Sequence, residues 1–232
     1  MKGRDLALSE RKEHTRDKRT HRTILQFGIE EIKEHFNSNL LSIKNQFEIA
    51  QNLLQEGKEN ECKTIWRSQI VLLDGILDFY IHEISKHALY MMFKKEWSPS
   101  EKYGSLMVPM REVECAIEAA ESKDWFFEYL NDRFSRDVFL SAEIMKDQLN
   151  LIGISFGDVM KIAFPREAEN DSHKAGKVFV QNLYERRNAI AHQNDRSHDT
   201  AEQNDISKED FEGYIDGVVS IVEAINSIAL GK

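Results

Sequence analysis

The sequence predicts an all-α protein, and three observations carry that prediction. Only 3 Pro and 11 Gly occur among 232 residues, so long uninterrupted helices are permitted. Runs of alternating Val, Ile and Thr, the signature of half-buried strands, are nearly absent. Apolar residues recur instead every three or four positions over long stretches, the spacing of a helix that buries one face. With 41% hydrophobic and 31% charged residues, the chain has the composition of a folded, water-soluble protein. Its length suits one sizeable domain, or a domain with an extension.

The elements follow in order. Residues 1–22 form a charged arm, most simply a solvated tail, with an RNA-touching arm as the alternative. A single helical domain is expected over 23–232. From Ile24 a long amphipathic helix is marked by Leu25, Ile29, Ile32, Phe36, Ile43, Phe47, Ala50 and Leu54. EGKEN at 56–60 breaks it. A second long helix carries Trp66, Ile70, Leu73, Leu77, Tyr80, Ile84 and Met91 in a heptad-like row. Two such helices joined by a short Gly-containing turn make an antiparallel hairpin. Residues 98–170 are less regular and read as an irregular helical insert. It holds a loop (SPSEKYGSLMVP), a short helix (MREVECAIEAAES), an aromatic-rich stretch (DWFFEYLNDRF) and a helix (SAEIMKDQLNLIG) that Gly153 can close. FPREAENDSHKAGK reads as a connecting loop into a helix over 177–192, followed by the polar loop QNDRSHDTAEQND. The last helix opens at SKED, with Ser207 as cap and Asp210 in the third position, and its seam is Phe211, Ile215, Val218, Val222 and Ile225.

Charge and cysteine usage narrow the function classes. A formal net charge of −9 argues against a protein that coats nucleic acid nonspecifically, although a basic cleft can sit on an acidic body. Cys62 and Cys115 are too few for a disulfide framework or a Cys-based zinc site. No unbroken apolar run approaches the roughly 18–20 residues of a bilayer span, and the basic N-terminus lacks a signal-peptide core. The expectation is a cytoplasmic protein with no membrane contact.

ERRNAIAHQND, residues 185–195, puts two arginines and a histidine into an otherwise core-like helix. At about 100° per residue, Phe179, Leu183 and Ile190 share a narrow stripe, widened by Val180 and Ala191. Arg187 falls inside that apolar sector, with Arg186 at its other edge. A cation there needs partners, because an unpaired buried charge is costly. His192 lies about 140° round and roughly 7.5 Å along from Arg187 on an ideal helix. The two side chains can then line two walls of a groove, or the helix ends near His192, or a second copy of the chain completes the site. Asn188 is placed to orient Arg187 or a ligand. The structural alternative pairs Arg187 with a carboxylate on a neighbouring helix and makes His192 a helix-end residue favoured by the dipole.

On the second long helix Arg67, Asp74, Asp78, His82 and Ser85 share a sector of about 80°. Asp78 and His82 are expected to support Arg187, against the alternative of a solvated face. HEISKH at 82–87 sets its histidines five apart instead of four, so they diverge on a helix and do not share a zinc ion. No Gly-rich phosphate loop, GxSxG elbow or CxxC pair occurs. No metal ligands and no cofactor are expected.

RRNAIAH, residues 186–192, resembles the defining motif of the HEPN superfamily: an Arg, usually followed by a polar residue, and then a His after four to six intervening positions, which Arg187, Asn188 and His192 match with four between. QIVLLDGILDFYIHEI before it and DISKEDFEGYIDGVVSIVEAIN after it are similar to the RiboL-PSP-like branch. The resemblance implies a HEPN-type bundle of two long antiparallel helices with an insert, and a metal-independent endoribonuclease with Arg187, His192 and Asn188 as catalytic residues. Arg186, Asp78 and His82 are the supporting residues. It implies an RNA substrate, a homodimer whose two motifs line one cleft, and a toxin–antitoxin or antiphage role with an antitoxin or other defence-system protein as partner. Where some such toxins carry a modifiable Tyr two residues after the His, this chain has Asn194. The residue types suit the chemistry. Histidine titrates near neutrality and can move the 2′-hydroxyl and leaving-group protons, while arginine offers phosphate a permanently charged planar fork. The products would be a 2′,3′-cyclic phosphate and a 5′-hydroxyl. The alternatives are a non-catalytic HEPN module that binds RNA, a nucleotide or a protein, and a structural dimerisation unit in which Arg187 pairs with a carboxylate such as Asp78.

Overall fold

A computed structural model of the chain describes residues 26–118, 124–135, 137–167 and 169–232. The expected charged arm and the first apolar positions of the first helix, Ile24 and Leu25, lie outside the described residues. Eight α-helices account for most of the described residues: α1 (Ile29–Gln55), α2 (Glu59–Lys94), α3 (Met110–Glu118), α4 (Asp124–Phe134), α5 (Ala142–Leu151), α6 (Phe156–Ala163), α7 (Glu169–Gln193) and α8 (Lys208–Leu230). The fold is all-α, as the sequence predicts.

The hairpin of α1 and α2 is the frame. α1 starts at Ile29, later than the periodicity alone implies, because Gly28 is its cap and the Glu31 carboxylate accepts from the Gly28 amide at 2.8 Å. At the other end Gly57 takes φ +76°, and the amides of Gly57 and Lys58 donate to the Leu54 and Leu53 carbonyls. This is a Schellman closure, and it turns the chain straight into α2. The two helices run antiparallel. Phe36 meets Tyr80 with ring centroids 5.8 Å apart, Phe47 meets Trp66 at 6.1 Å, and the Gln69 amide donates to the Ile43 carbonyl inside the core. α8 closes the bundle with its seam of Phe211, Ile215, Val218, Val222 and Ile225 buried. Ser207 and Asp210 form the expected capping box. α8 is also long and apolar enough, at a mean hydropathy of 1.3, to cross a bilayer. Its buried seam packs on α1, α2 and α6.

The middle of the chain is more helical than its sequence reads. α6 was not expected, yet Ser155 caps it by accepting from the Asp158 amide at 3.2 Å, the same Ser-x-x-Asp signal that opens α8. Phe156, Val159 and Met160 bury its inner face between α7 and α8. α7 begins at Glu169, so most of the stretch read as a connecting loop is its first turns. The misleading residue is Gly176, which looks like a break. A Cβ there would sit 2.1 Å from Met160 Sδ, so the glycine marks the place where α6 lies against α7. Gly217 does the same for α8, where a Cβ would come within 2.2 Å of the Phe179 ring. α4 packs on α2, and its Phe126 stacks on Phe93 with centroids 4.4 Å apart. The buried apolar residues of α4, α5 and α6 belong to the same core as the hairpin.

Candidate active site

α2 and α7 cross so that the polar sector of one meets the arginines of the other. Arg187 Nε donates to Asp74 Oδ2 at 2.7 Å, and Arg187 Nη1 donates to Asn188 Oδ1 at 2.8 Å. Asp74 is only 1% exposed, whereas the Arg187 side chain retains 23%. The guanidinium is therefore held through Nε and Nη1, and the edge that carries Nη2 has no partner among the described residues on a partly exposed side chain. Burial pushes the Asp74 carboxyl up to about 7, and the charge of Asp78 one turn along acts the same way. Arg187 opposes both, and burial wins.

The neighbouring arginine has a different task. Arg186 Nη2 lies 2.9 Å from Asp195 Oδ2 and donates to the Asp205 carbonyl at 2.7 Å. Arg67 of α2 donates from Nε to the same Asp195 oxygen at 2.8 Å, and from Nη2 to the Asn204 carbonyl at 2.7 Å. Asp195 is fully buried, and Asn204 Nδ2 donates to its second oxygen at 3.2 Å. Two cations thus share one carboxylate that water does not reach. The local chain is bent to deliver it. Asn194 and Asp195 take φ +52° and +59°, a conformation Asn and Asp tolerate, and the Asp195 amide donates back to the Ala189 carbonyl at 2.9 Å. That bond closes α7 across the turn that carries His192.

His192 itself is exposed in the last turn of α7 and has no hydrogen-bond or ion-pair partner among the described residues. α7 continues through Gln193, so the helix does not end before His192. On that continuous helix the Arg187 and His192 side chains leave the axis about 140° apart, and no hydrogen bond joins them.

The supporting residues are placed differently from the expectation. Asp78 Oδ1 accepts from the Phe139 amide at 2.8 Å, and His82 Nε2 donates to the Asp137 carbonyl at 3.0 Å. The His82 ring leans on Phe139, with centroids 4.3 Å apart. These two side chains anchor the segment between α4 and α5, and the direct partner of Arg187 is Asp74. The helical sector already contained Asp74, but which carboxylate faces α7 depends on where the two helices cross. Asp195 had no sequence signal beyond its place just after a helix. A cleft of about 360 Å³ opens between α2 and the end of α4, with Gly75, Asp78 and His82 on its α2 wall. Neither Arg187 nor His192 lines it.

No curated protein and no solved structure matches the chain. The model of the family described as RiboL-PSP-HEPN matches residues 38–230, which takes in α2, α7 and α8 entire and most of α1. On that match the chain belongs to the HEPN superfamily, in its RiboL-PSP-like branch.

Proposed function

We propose that the protein is a metal-independent endoribonuclease that cleaves RNA by attack of a 2′-hydroxyl on the adjacent phosphate. HEPN domains are in general nuclease-related, bind RNA and often dimerise. The observation that carries the reading for this chain is the mounting of Arg187. A buried carboxylate and Asn188 hold two of its donors, and its open edge faces outward where a phosphate can be bound. In the proposed reaction this edge neutralises the charge that builds on the phosphorane. His192 takes the 2′-hydroxyl proton or returns one to the departing 5′-oxygen. Asn188 keeps the guanidinium plane fixed.

The angular separation of Arg187 and His192 on α7 favours a homodimer, in which His192 of one copy approaches Arg187 of the other across a shared cleft. Toxin–antitoxin or antiphage defence is the setting proposed for such an activity, with an antitoxin or another defence-system protein as its control. Purified protein is expected to cut RNA in EDTA, to leave 2′,3′-cyclic phosphate ends and to spare DNA. Arg187→Ala or His192→Ala should abolish cutting without changing the circular dichroism spectrum. Wild-type rates in both variants would end the assignment.

The second reading is a non-catalytic module that binds RNA, a nucleotide or a protein. The ion pair that already occupies one edge of Arg187 favours it, as does a cleft that neither motif residue lines. It expects retention of RNA without product, and weaker retention by Arg187→Ala.

A further inference from the structure

The cleft between α2 and α4 has no part in the proposed proton transfers, and its lining is unlike that of a phosphate site. Its volume of about 360 Å³ lies at the small end of the roughly 300–1,000 Å³ usual for ligand sites. Phe79 stands at its mouth, 41% exposed, between Leu77 and Tyr80 that are buried in the core. An aromatic face at the lip of a cleft is a stacking platform for a flat ring. Gly75, one turn earlier on α2, lines the same mouth, and a Cβ there would meet nothing within 4 Å. The mouth is thus left open at a helical position where alanine is intrinsically favoured.

Two turns on from Phe79 along α2, the Lys86 ammonium is fixed between Glu83 at 2.5 Å and Asn131 Oδ1 at 2.8 Å. Among the described residues, three carboxylates, Asp78, Glu83 and Asp137, line the cleft with Lys86 and His82. That balance repels a phosphate and suits a neutral ring that offers N–H donors beside an acceptor.

We propose that this cleft is a nucleobase subsite. It takes one unstacked base of the strand held at Arg187, stacked on Phe79, with the N–H donors of its pairing edge toward the carboxylates and its carbonyl toward Lys86. Guanine, with adjacent N–H donors and a carbonyl on one edge, satisfies this lining better than uracil, which has a single ring N–H. Gly75 of the cleft directly follows Asp74, the anchor of Arg187, so the two places lie close along α2 although their side chains leave the helix about 100° apart. Its far wall, with Asn131 and Phe134, comes from α4, so the middle of the chain sets sequence choice. The subsite rests on the RNA reading of the protein.

The experiment has two arms, each run on wild type, Phe79→Ala and Gly75→Leu. The first compares cleavage of ribo-oligonucleotides that differ by guanine or uracil at a single position near the cut. The second measures fluorescence-anisotropy binding of the corresponding 2′-deoxy oligonucleotides, which lack the nucleophile. Wild type is expected to favour guanine in both arms by roughly tenfold, the scale of one additional hydrogen bond. Both variants should lose that preference while still cutting and binding every oligonucleotide. Cutting by wild type with a preference that both variants retain would overturn the subsite and leave the nuclease standing. A guanine preference in binding that the variants lose, with no cutting by wild type, would keep the subsite and end the nuclease. A wild type that neither cuts nor binds overturns both. Conversion of a dimer to a monomer by Phe79→Ala, seen by sedimentation, would assign the patch to contact between copies and overturn the subsite.

Discussion

Adjacent arginines on one helix have separate employments although the carboxylate partners of both are buried. Arg186 shares the fully buried Asp195 with Arg67, so its guanidinium closes a loop. Arg187 is held through Nε by Asp74 and through Nη1 by Asn188, and its Nη2 has no partner among the described residues. Arg187→Lys is therefore not conservative, since an ammonium cannot bridge Asp74 and Asn188 while offering a planar edge to phosphate. A drop in cleavage of about a hundredfold is expected, with stability little changed, as read from initial rates and thermal melts.

Asp74 also carries a pH signature. Its folded carboxyl lies near 7 against an ordinary 3.8, so the folded state holds this proton more tightly than the unfolded chain. Its contribution to stability is full below the unfolded value. It falls as pH rises from about 4 to about 7, and it changes little beyond that. The urea-unfolding free energy of wild type minus that of Asp74→Asn should decline over that interval and then level. A flat difference would place the carboxyl at an ordinary value.

At the level of elements, two glycines on α8 make opposite predictions. Gly217→Ala drives a Cβ into the Phe179 ring, and overpacking of this kind costs about 1–3 kcal/mol. Gly213→Ala meets open space on the same helix and should raise stability by up to about 1 kcal/mol through helix propensity. Thermal melts of the pair should move in opposite directions. The loop after α7 depends on its buried anion in the same local way. Asp195→Ala strands Arg67 and Arg186 without their shared carboxylate and is expected to cost about 3–5 kcal/mol. Activity should fall with it, because the loop that this carboxylate ties to Arg67 and Arg186 follows directly on the turn that bears His192.

For the whole molecule the decisive matter is whether one site draws on two chains. Arg187→Ala and His192→Ala proteins, mixed and allowed to exchange subunits, form mixed dimers in about half of the population. If His192 acts across the dimer, each mixed dimer keeps one intact site, and roughly a quarter of the wild-type activity returns. If both residues serve their own chain, every site stays defective and the mixture remains silent.

Much of this architecture was legible because helix signals are local. The row from Trp66 to Met91, the Gly57 turn and the Ser207–Asp210 capping box each depend on residues within a few positions of one another, and the structure has all of them. The same logic applied to Ser155 and Asp158 would have found α6, which the reading of 98–170 as an irregular helical insert left out. Gly176 failed as a guide for a different reason, since a glycine that breaks a helix and one that admits a neighbour look alike until the neighbour is in place.

The sequence alone determined the helical class, the two-helix frame and the presence of a cationic motif inside an apolar stripe, because periodicity and capping are written within a turn or two of chain. Tertiary structure alone decided that Asp74 and not Asp78 holds Arg187, that Arg186 belongs to Asp195, and that Asp78 and His82 secure the segment at 137–139. A shift of one turn in the crossing of α2 and α7 would exchange those partners. That crossing is set by packing among α6, α7 and α8, far along the chain from the groups it brings together.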